Sequence, residues 1–293
     1  GYHGWHDWYL AANLGDEGKL SGHLLPGLEP KGVPENLSGS VLPFTYNNFS
    51  ELEELVKNHD IGVIKMEVSR NMEPQAGFLE NVRKLASEKN IILIFDECTS
   101  GFRETLGGLH KKYKVEPDIA MFGKALGNGY AITAIVGRRS VMNAAQSTFI
   151  SSTFWTERIG PAAALKTLEV MEREKSWESI TKTGCMIGER WELLADKYEL
   201  PLHISGLPSM IGFSLSVPDM LKYKTLITQE MLKKNILAAT SVYTCTAHTK
   251  SVIDLYFEAL DPIFGMIKDC ESGRVVDELL DGPICHAGFK RLN

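Results

Sequence analysis

Three groups of residues in this sequence are of types that do chemistry. The first is Asp96, which closes the continuous apolar run Ile91-Ile92-Leu93-Ile94-Phe95. Such a run suits a strand of a parallel sheet covered on both faces. In open α/β sheets ligands bind beyond the carboxyl ends of the strands, so an acid placed there faces the ligand crevice. The loop Glu97-Cys98-Thr99-Ser100-Gly101-Phe102-Arg103 follows it. The second is Lys124, in Phe122-Gly123-Lys124-Ala125-Leu126-Gly127-Asn128-Gly129. Its glycines permit close backbone approach to a ligand. The third is Ile150-Ser151-Ser152-Thr153-Phe154-Trp155, a hydroxyl-rich turn ahead of a helix, suited to a phosphate. Each also has a plainer reading: a cap or loop anchor for Asp96, a solvated lysine, and an ordinary turn.

The surrounding elements would position these groups. Ser50 precedes Glu53 by three residues, a capping-box spacing, and Leu52, Leu55 and Val56 make a helical apolar stripe. Residues 62–67 read as a strand. Phe78 to Asn90 reads as a helix with Leu79, Val82, Leu85 and Ala86 on one face. Further strands are expected over 118–122 and 131–136. This alternation argues for an α/β fold with a mainly parallel sheet and helices on both faces. A helix is expected from Pro161 to Glu174, with proline in its first turn, and another from Glu178 to Tyr198. After Leu200-Pro201, short strands mix with helices near 223–234 and 250–268. The expected organisation is a large domain over 1–180 and a smaller C-terminal α+β domain over 181–293. Residues 15–43, rich in Gly, Pro, Ser and Leu, read as a long structured loop, which inside a domain is usually functional.

The bulk composition narrows the function classes. The 293 residues are 44% hydrophobic and 23% charged, an ordinary globular balance. With 31 basic and 37 acidic residues the net charge is −6, which offers no basic surplus for a nucleic-acid or anionic-membrane partner. The five cysteines include no C-x-x-C pair, so neither a disulfide framework, nor a zinc site, nor any other metal site is expected, and a reducing, cytoplasmic setting fits. There is no P-loop and no G-x-G-x-x-G run to suggest a nucleotide module. No signal peptide or membrane-spanning apolar run is visible.

Taken together and in order, several motifs resemble one family. They are Tyr2-His3-Gly4, the stretch from Asn71 to Leu79, Asp96-Glu97 through Gly101-Phe102-Arg103, Pro117-Asp118 through Gly123-Lys124, and Ser152-Thr153. The sequence resembles the class-III, fold type I pyridoxal-phosphate aminotransferases, nearest the glutamate-1-semialdehyde aminomutase-like branch, over essentially its whole length.

That resemblance implies the following roles. Lys124 matches the lysine that carries the cofactor as a Schiff base and shuttles a proton at the substrate carbon. A partly desolvated lysine would lose its proton more readily. Asp96 matches the acid paired with the pyridine nitrogen, keeping it protonated so that the ring acts as an electron sink. Tyr2 matches the aromatic stacked on the ring, with His3 beside it in the same motif. Cys98 stands where the family usually places valine, against the opposite ring face, and can pack there as a small soft residue. Glu67 and Asn71 match positions beside the cofactor, although Val68 replaces a common proline and Arg70 a common glycine. Thr153 matches the hydroxyl that binds the cofactor phosphate of a neighbouring subunit, which implies a homodimer. His3, His6 and His110 read as hydrogen-bonded structural residues, because Lys124 already supplies proton transfer. The substrate would be a small amino or keto compound, and amino transfer and aminomutation stay open alternatives.

The family carries a further stretch ahead of the Tyr-His-Gly motif, including a phosphate-binding loop. Its counterpart is not found in residues 1–293, whereas Pro283 to Asn293 reads as a natural ending. The expectation is therefore a truncated form, a partial gene or one half of a split enzyme, binding cofactor weakly or not at all by itself; the alternative to an active enzyme is an incomplete or inactive fragment that needs an N-terminal segment for cofactor binding.

Overall fold

The computed structural model describes residues 3–4, 6–15, 18–20, 29–69, 71–151 and 153–287. The elements are, in chain order, α1 (Asp7–Leu10), α2 (Phe49–Asn58), β1 (Val63–Met66), α3 (Phe78–Glu88), β2 (Ile92–Asp96) and α4 (His110–Tyr113). Then come β3 (Ile119–Phe122), β4 (Ala134–Gly137), α5 (Arg139–Met142), α6 (Ile159–Glu174) and α7 (Ser176–Lys197). The last are β5 (Leu202–Ser205), β6 (Met210–Leu215), α8 (Met220–Lys233), β7 (Ser241–Tyr243) and α9 (Lys250–Glu271). They form two compact units, one running to Val170 and the other Met171–Ala287.

The first unit is built on a four-stranded sheet in the order β1-β2-β3-β4. β1, β2 and β3 run parallel, and β4 pairs antiparallel with β3. The fold is thus α/β with a mostly parallel sheet, as the alternation of elements predicts. Burial along the strands is one-sided. Ile64, Met66, Leu93, Phe95, Ala120 and Phe122 are buried, whereas Lys65, Ile94, Ile119 and Met121 alternate with them and are only half-buried. Side chains of a strand point alternately to opposite faces. Lys65, Ile94 and Asp96 therefore share the less covered face, because Lys65 pairs with Ile94. On the buried face, Ala164 of α6 joins Ala120, Phe122 and Leu126 in one cluster. α3 packs against β2 through the stripe read from the sequence, with Phe78, Leu79, Val82, Leu85 and Ala86 all buried.

One start signal differs from expectation. The N-cap of α2 is Asn48, whose side chain accepts the Glu51 backbone N–H, so the capping pair is Asn48 and Glu51 rather than Ser50 and Glu53. Glu51 Oε2 in turn accepts from the Thr45 backbone and from Asn48 Nδ2, which draws the helix start two residues back.

Asp118 ties the sheet together. Its Oδ2 accepts the Leu93 backbone N–H at 2.8 Å and Arg83 Nη1 at 2.8 Å, and its Oδ1 lies 3.1 Å from Arg138 Nη1. This ionic knot fixes the entry of β3 against β2.

The second unit holds an antiparallel sheet in the order β5-β6-β7. α7 packs on β5, β6 and α9, which is why it groups with this unit rather than with the first. Its core centres on fully buried Trp191, with Phe213 at 4.8 Å between ring centroids, and on Tyr223 and Phe264. The Trp191 indole N–H donates to the Tyr256 hydroxyl at 3.0 Å, which satisfies a polar group inside an apolar core.

Candidate active site

Parallel pairing of β2 with β3 brings their carboxyl ends side by side, with Asp96 in register with Met121. The loops that follow carry the two residues read as chemical. Asp96 ends β2, and Lys124 opens a short turn just after β3.

Asp96 is buried at 6% exposure, so its carboxylate needs partners. His3 Nδ1 lies 2.9 Å from Oδ2, Lys65 Nζ lies 3.3 Å from the same oxygen, and the Cys98 backbone N–H donates to Oδ1 at 3.2 Å. Burial alone would raise the proton affinity of this carboxyl. The His3 hydrogen bond, the Lys65 charge and the Cys98 amide outweigh it, and Asp96 sits below its ordinary value. An ionised carboxylate only accepts, so the hydrogen on His3 is on Nδ1. The neighbouring acid, Glu97, is fully buried and purely structural. It accepts from Ser100 Oγ at 2.6 Å, from the Leu109 and His110 backbone at 2.9 Å each, and from His110 Nδ1 at 2.8 Å.

Lys124 adopts a left-handed backbone, φ +44°, after an extended Gly123. A non-glycine residue there costs of order 1–3 kcal/mol and clusters at functional sites. Its Nζ donates to Thr99 Oγ1 at 2.6 Å. Lys124 is an exposed residue. Its amine nevertheless makes a part-buried bond to the Thr99 hydroxyl, which anchors it.

Cys98 lies between the two. A Cβ on Gly123 would come within 2.7 Å of its Sγ, so only glycine lets the thiol rest against the Lys124 turn. Burial raises the Cys98 thiol above its ordinary value; Asp96 and Glu67 raise it further, and Lys124 and Lys65 oppose them. One small side chain thus senses both candidate residues, as well as Lys65 and Glu67. The thiol stays protonated and acts as packing.

The structure brings His3, Lys65, Asp96, Cys98, Thr99 and Lys124 together. Glu67 follows β1 at the margin of the group, half-buried. Asn71 and Thr153 are exposed, and none of the described contacts ties them to it. Tyr2 lies outside the described residues. Lys65 and Thr99 were not singled out by sequence reasoning. Lys65 carries the only faint signal, a charge inside a strand. His6 stacks on Trp8 at 5.9 Å. No group of three His, Cys, Asp or Glu suited to a metal occurs among the described residues. A separate cleft of about 520 Å³, lined in part by His110, Asp118 and Arg138, contains neither Asp96 nor Lys124.

A primary amine, a charged buried carboxylate and the Cys98 side chain packed against Gly123 form a set that fits pyridoxal phosphate. The amine suits its aldehyde and the carboxylate its ring nitrogen.

Comparison with known proteins agrees. Residues 47–256 match the family model for class-III aminotransferases. The chain is 32% identical over 282 residues to a 3-aminobutyryl-CoA aminotransferase of Cloacimonas acidaminovorans, covering 92% of this chain and 64% of that protein. It is 31% identical over 266 residues to a glutamate-1-semialdehyde 2,1-aminomutase of Ruminiclostridium cellulolyticum, covering 82% and 61%. In structure it is similar to the FumI protein of Sphingopyxis sp. MTA144 in its PLP internal aldimine form, at a TM-score of 0.77 and 24% identity over 85% of this chain and 63% of the other. An omega-transaminase from Sphaerobacter thermophilus gives a TM-score of 0.77 at 19% identity over 90% and 66%. At these identities the two structures speak to the fold. The chain spans less than two thirds of the length of both sequence relatives.

Proposed function

The chain belongs to the class-III aminotransferases, and on that basis we propose that Lys124 and Asp96 serve opposite ends of one pyridoxal phosphate ring in an amino-transfer reaction. The observation that carries the reading is the meeting of the Lys124 turn and the depressed Asp96 carboxyl on either side of Cys98.

Bound pyridoxal phosphate supplies an electron sink for the pair left when a substrate C–H bond breaks. The chain's residues do the rest. Lys124 Nζ would be the amine that holds the cofactor, and as a base it would take and return the proton at the substrate carbon. Asp96 stays ionised and holds a proton on the ring nitrogen. His3 fixes the direction of that carboxylate through its Nδ1–H. Cys98 packs one ring face, and Tyr2 is assigned to the other. Glu67 and Asn71 are assigned by the family resemblance to the border of the ring, and Thr153 to the phosphate of a neighbouring subunit.

The substrate class is a small amino or keto compound. An aminotransferase passes the nitrogen to a second substrate, whereas an aminomutase returns it to a neighbouring carbon of the same one. A homodimer is part of the proposal: Phe149, Phe154, Trp155 and Ile159 are exposed around Thr153, and a second copy would cover them. A cytoplasmic setting is proposed from the five unpaired cysteines. No helix of the described residues is long and apolar enough to cross a membrane.

The test is absorbance spectroscopy with added pyridoxal phosphate, followed by an amino donor. Wild type should show a visible band that the donor bleaches. Lys124→Ala should lose the band and roughly 10²–10⁴-fold of the amino-transfer rate. A band that survives Lys124→Ala overturns the proposal.

A further inference from the structure

Lys65 is a lysine in the middle of a strand whose neighbours Ile64 and Met66 are buried core. Its own side chain is only 16% exposed. A covered strand position is ordinarily apolar, and a buried ammonium is costly unless paired. Here it has two partners. Its Nζ lies 3.3 Å from Asp96 Oδ2 and 5.2 Å from the centroid of the Trp8 ring. A Trp face attracts a cation at that range, so Trp8 holds the amine over the carboxylate.

The same oxygen, Oδ2, also takes the His3 Nδ1–H at 2.9 Å. A carboxylate offers about four acceptor sites, two on each oxygen. His3 takes one of those on Oδ2, Lys65 lies against the same oxygen as an ion-pair partner at 3.3 Å, and the Cys98 backbone N–H takes one on Oδ1. Among the described residues, one acceptor site on Oδ1 is left.

We propose that Lys65 is a positioning residue of the cofactor site: beside the His3 hydrogen bond it places a positive charge against Asp96 Oδ2, leaves Oδ1 to face the ring nitrogen, and weakens the hold of the carboxylate on that nitrogen's proton. This rests on the reading of Asp96 given above. A cation beside the carboxylate stabilises its charged form and disfavours a second cation next to it. Lys65 therefore sets how tightly the ring nitrogen keeps its proton, acting through Asp96. The other titratable groups beside this carboxylate are His3 from the segment before α1 and Cys98 from the loop after β2; Glu67, after β1, and Lys124, from the turn after β3, act on Cys98.

The test uses Lys65→Met, Lys65→Gln and Lys65→Arg in two arms. In the first, without cofactor, the Asp96 carboxyl is titrated by carbon-13 NMR of protein labelled at the aspartate side-chain carbon, with the signal assigned through Asp96→Asn. Lys65→Met and Lys65→Gln should move its midpoint upward, and Lys65→Arg should leave it near wild type. In the second, pyridoxal phosphate labelled with nitrogen-15 in the ring is bound, and its ring-nitrogen shift is followed with pH. Both neutral variants should keep the ring nitrogen protonated to higher pH, with Lys65→Arg again near wild type. The glutamine variant guards against a folding defect peculiar to methionine. An unchanged midpoint in both neutral variants in either arm overturns the proposal. Failure of wild type to bind the labelled cofactor overturns the reading of the site instead, while the first arm still decides whether Lys65 governs Asp96.

Discussion

Lys124 Nζ is held 2.6 Å from Thr99 Oγ1, a bond that joins the turn after β3 to the loop after β2. Thr99 is buried at 5% exposure, so its hydroxyl has a fixed place from which to aim an exposed amine. Thr99→Ala removes that anchor and leaves the left-handed turn at Lys124 unsupported. A hydrogen bond of this kind is worth about 1 kcal/mol net, so cofactor retention should weaken roughly 5-fold. Thr99→Ser keeps the hydroxyl and should stay near wild type. Equilibrium dialysis of pyridoxal phosphate against the two variants reads the difference, and equal retention in both would remove Thr99 from the site.

Glu97 shows how firmly the loop beside the site is built. Its carboxylate collects four hydrogen bonds from Ser100, Leu109 and His110 and has no exposure of its own. Glu97→Ala leaves two buried backbone N–H groups and a histidine without their acceptor. The expected loss is about 3–5 kcal/mol, in the range for breaking a buried ionic group. Urea unfolding measures it. A loss below 1 kcal/mol would mean that water reaches the loop.

Acid should weaken the fold through two aspartates. Asp96 and Asp118 both sit below the ordinary 3.8 in the folded chain. In each case burial pushes upward and is overcome, by His3, Lys65 and an amide for Asp96, and by the Leu93 N–H, Arg83 and Arg138 for Asp118. A carboxyl depressed in the folded state stabilises it above the unfolded value and loses that contribution as pH falls through the folded value. Their contribution should therefore be level above about pH 4 and fade below it. Urea midpoints against pH should fall less steeply in acid for Asp118→Asn than for wild type. An identical acid slope would place the acid sensitivity elsewhere.

Much of the scaffold was legible in the sequence because it follows from period and burial. The run ending at Asp96 is a strand, and Leu79, Val82, Leu85 and Ala86 do face the core. The motif order was enough to name the family. Other features depend on closure in three dimensions. The Lys124–Thr99 bond spans 25 positions and the His3–Asp96 bond 93, so no local pattern announces either. Lys65 fits a strand's alternation and looks like a solvated charge until Trp8 and Asp96 are seen on either side of it. β7 has only three residues, too few to show a period. The α2 cap was misplaced because Ser50 and Asn48 are both good caps in sequence, and the Thr45 and Asn48 contacts to Glu51 decide between them.

The most direct measurement traps the amine that meets the cofactor. The protein is mixed with pyridoxal phosphate, reduced with borohydride, digested, and its peptides are mapped by mass spectrometry, with Asp96→Asn treated alongside. The expected result is a reduced pyridoxyl adduct on the peptide bearing Lys124, diminished in Asp96→Asn and lost in Lys124→Ala. An adduct on Lys65 in place of Lys124, or labelling of Lys124 that ignores the charge at position 96, would contradict the pairing of these two residues on one ring.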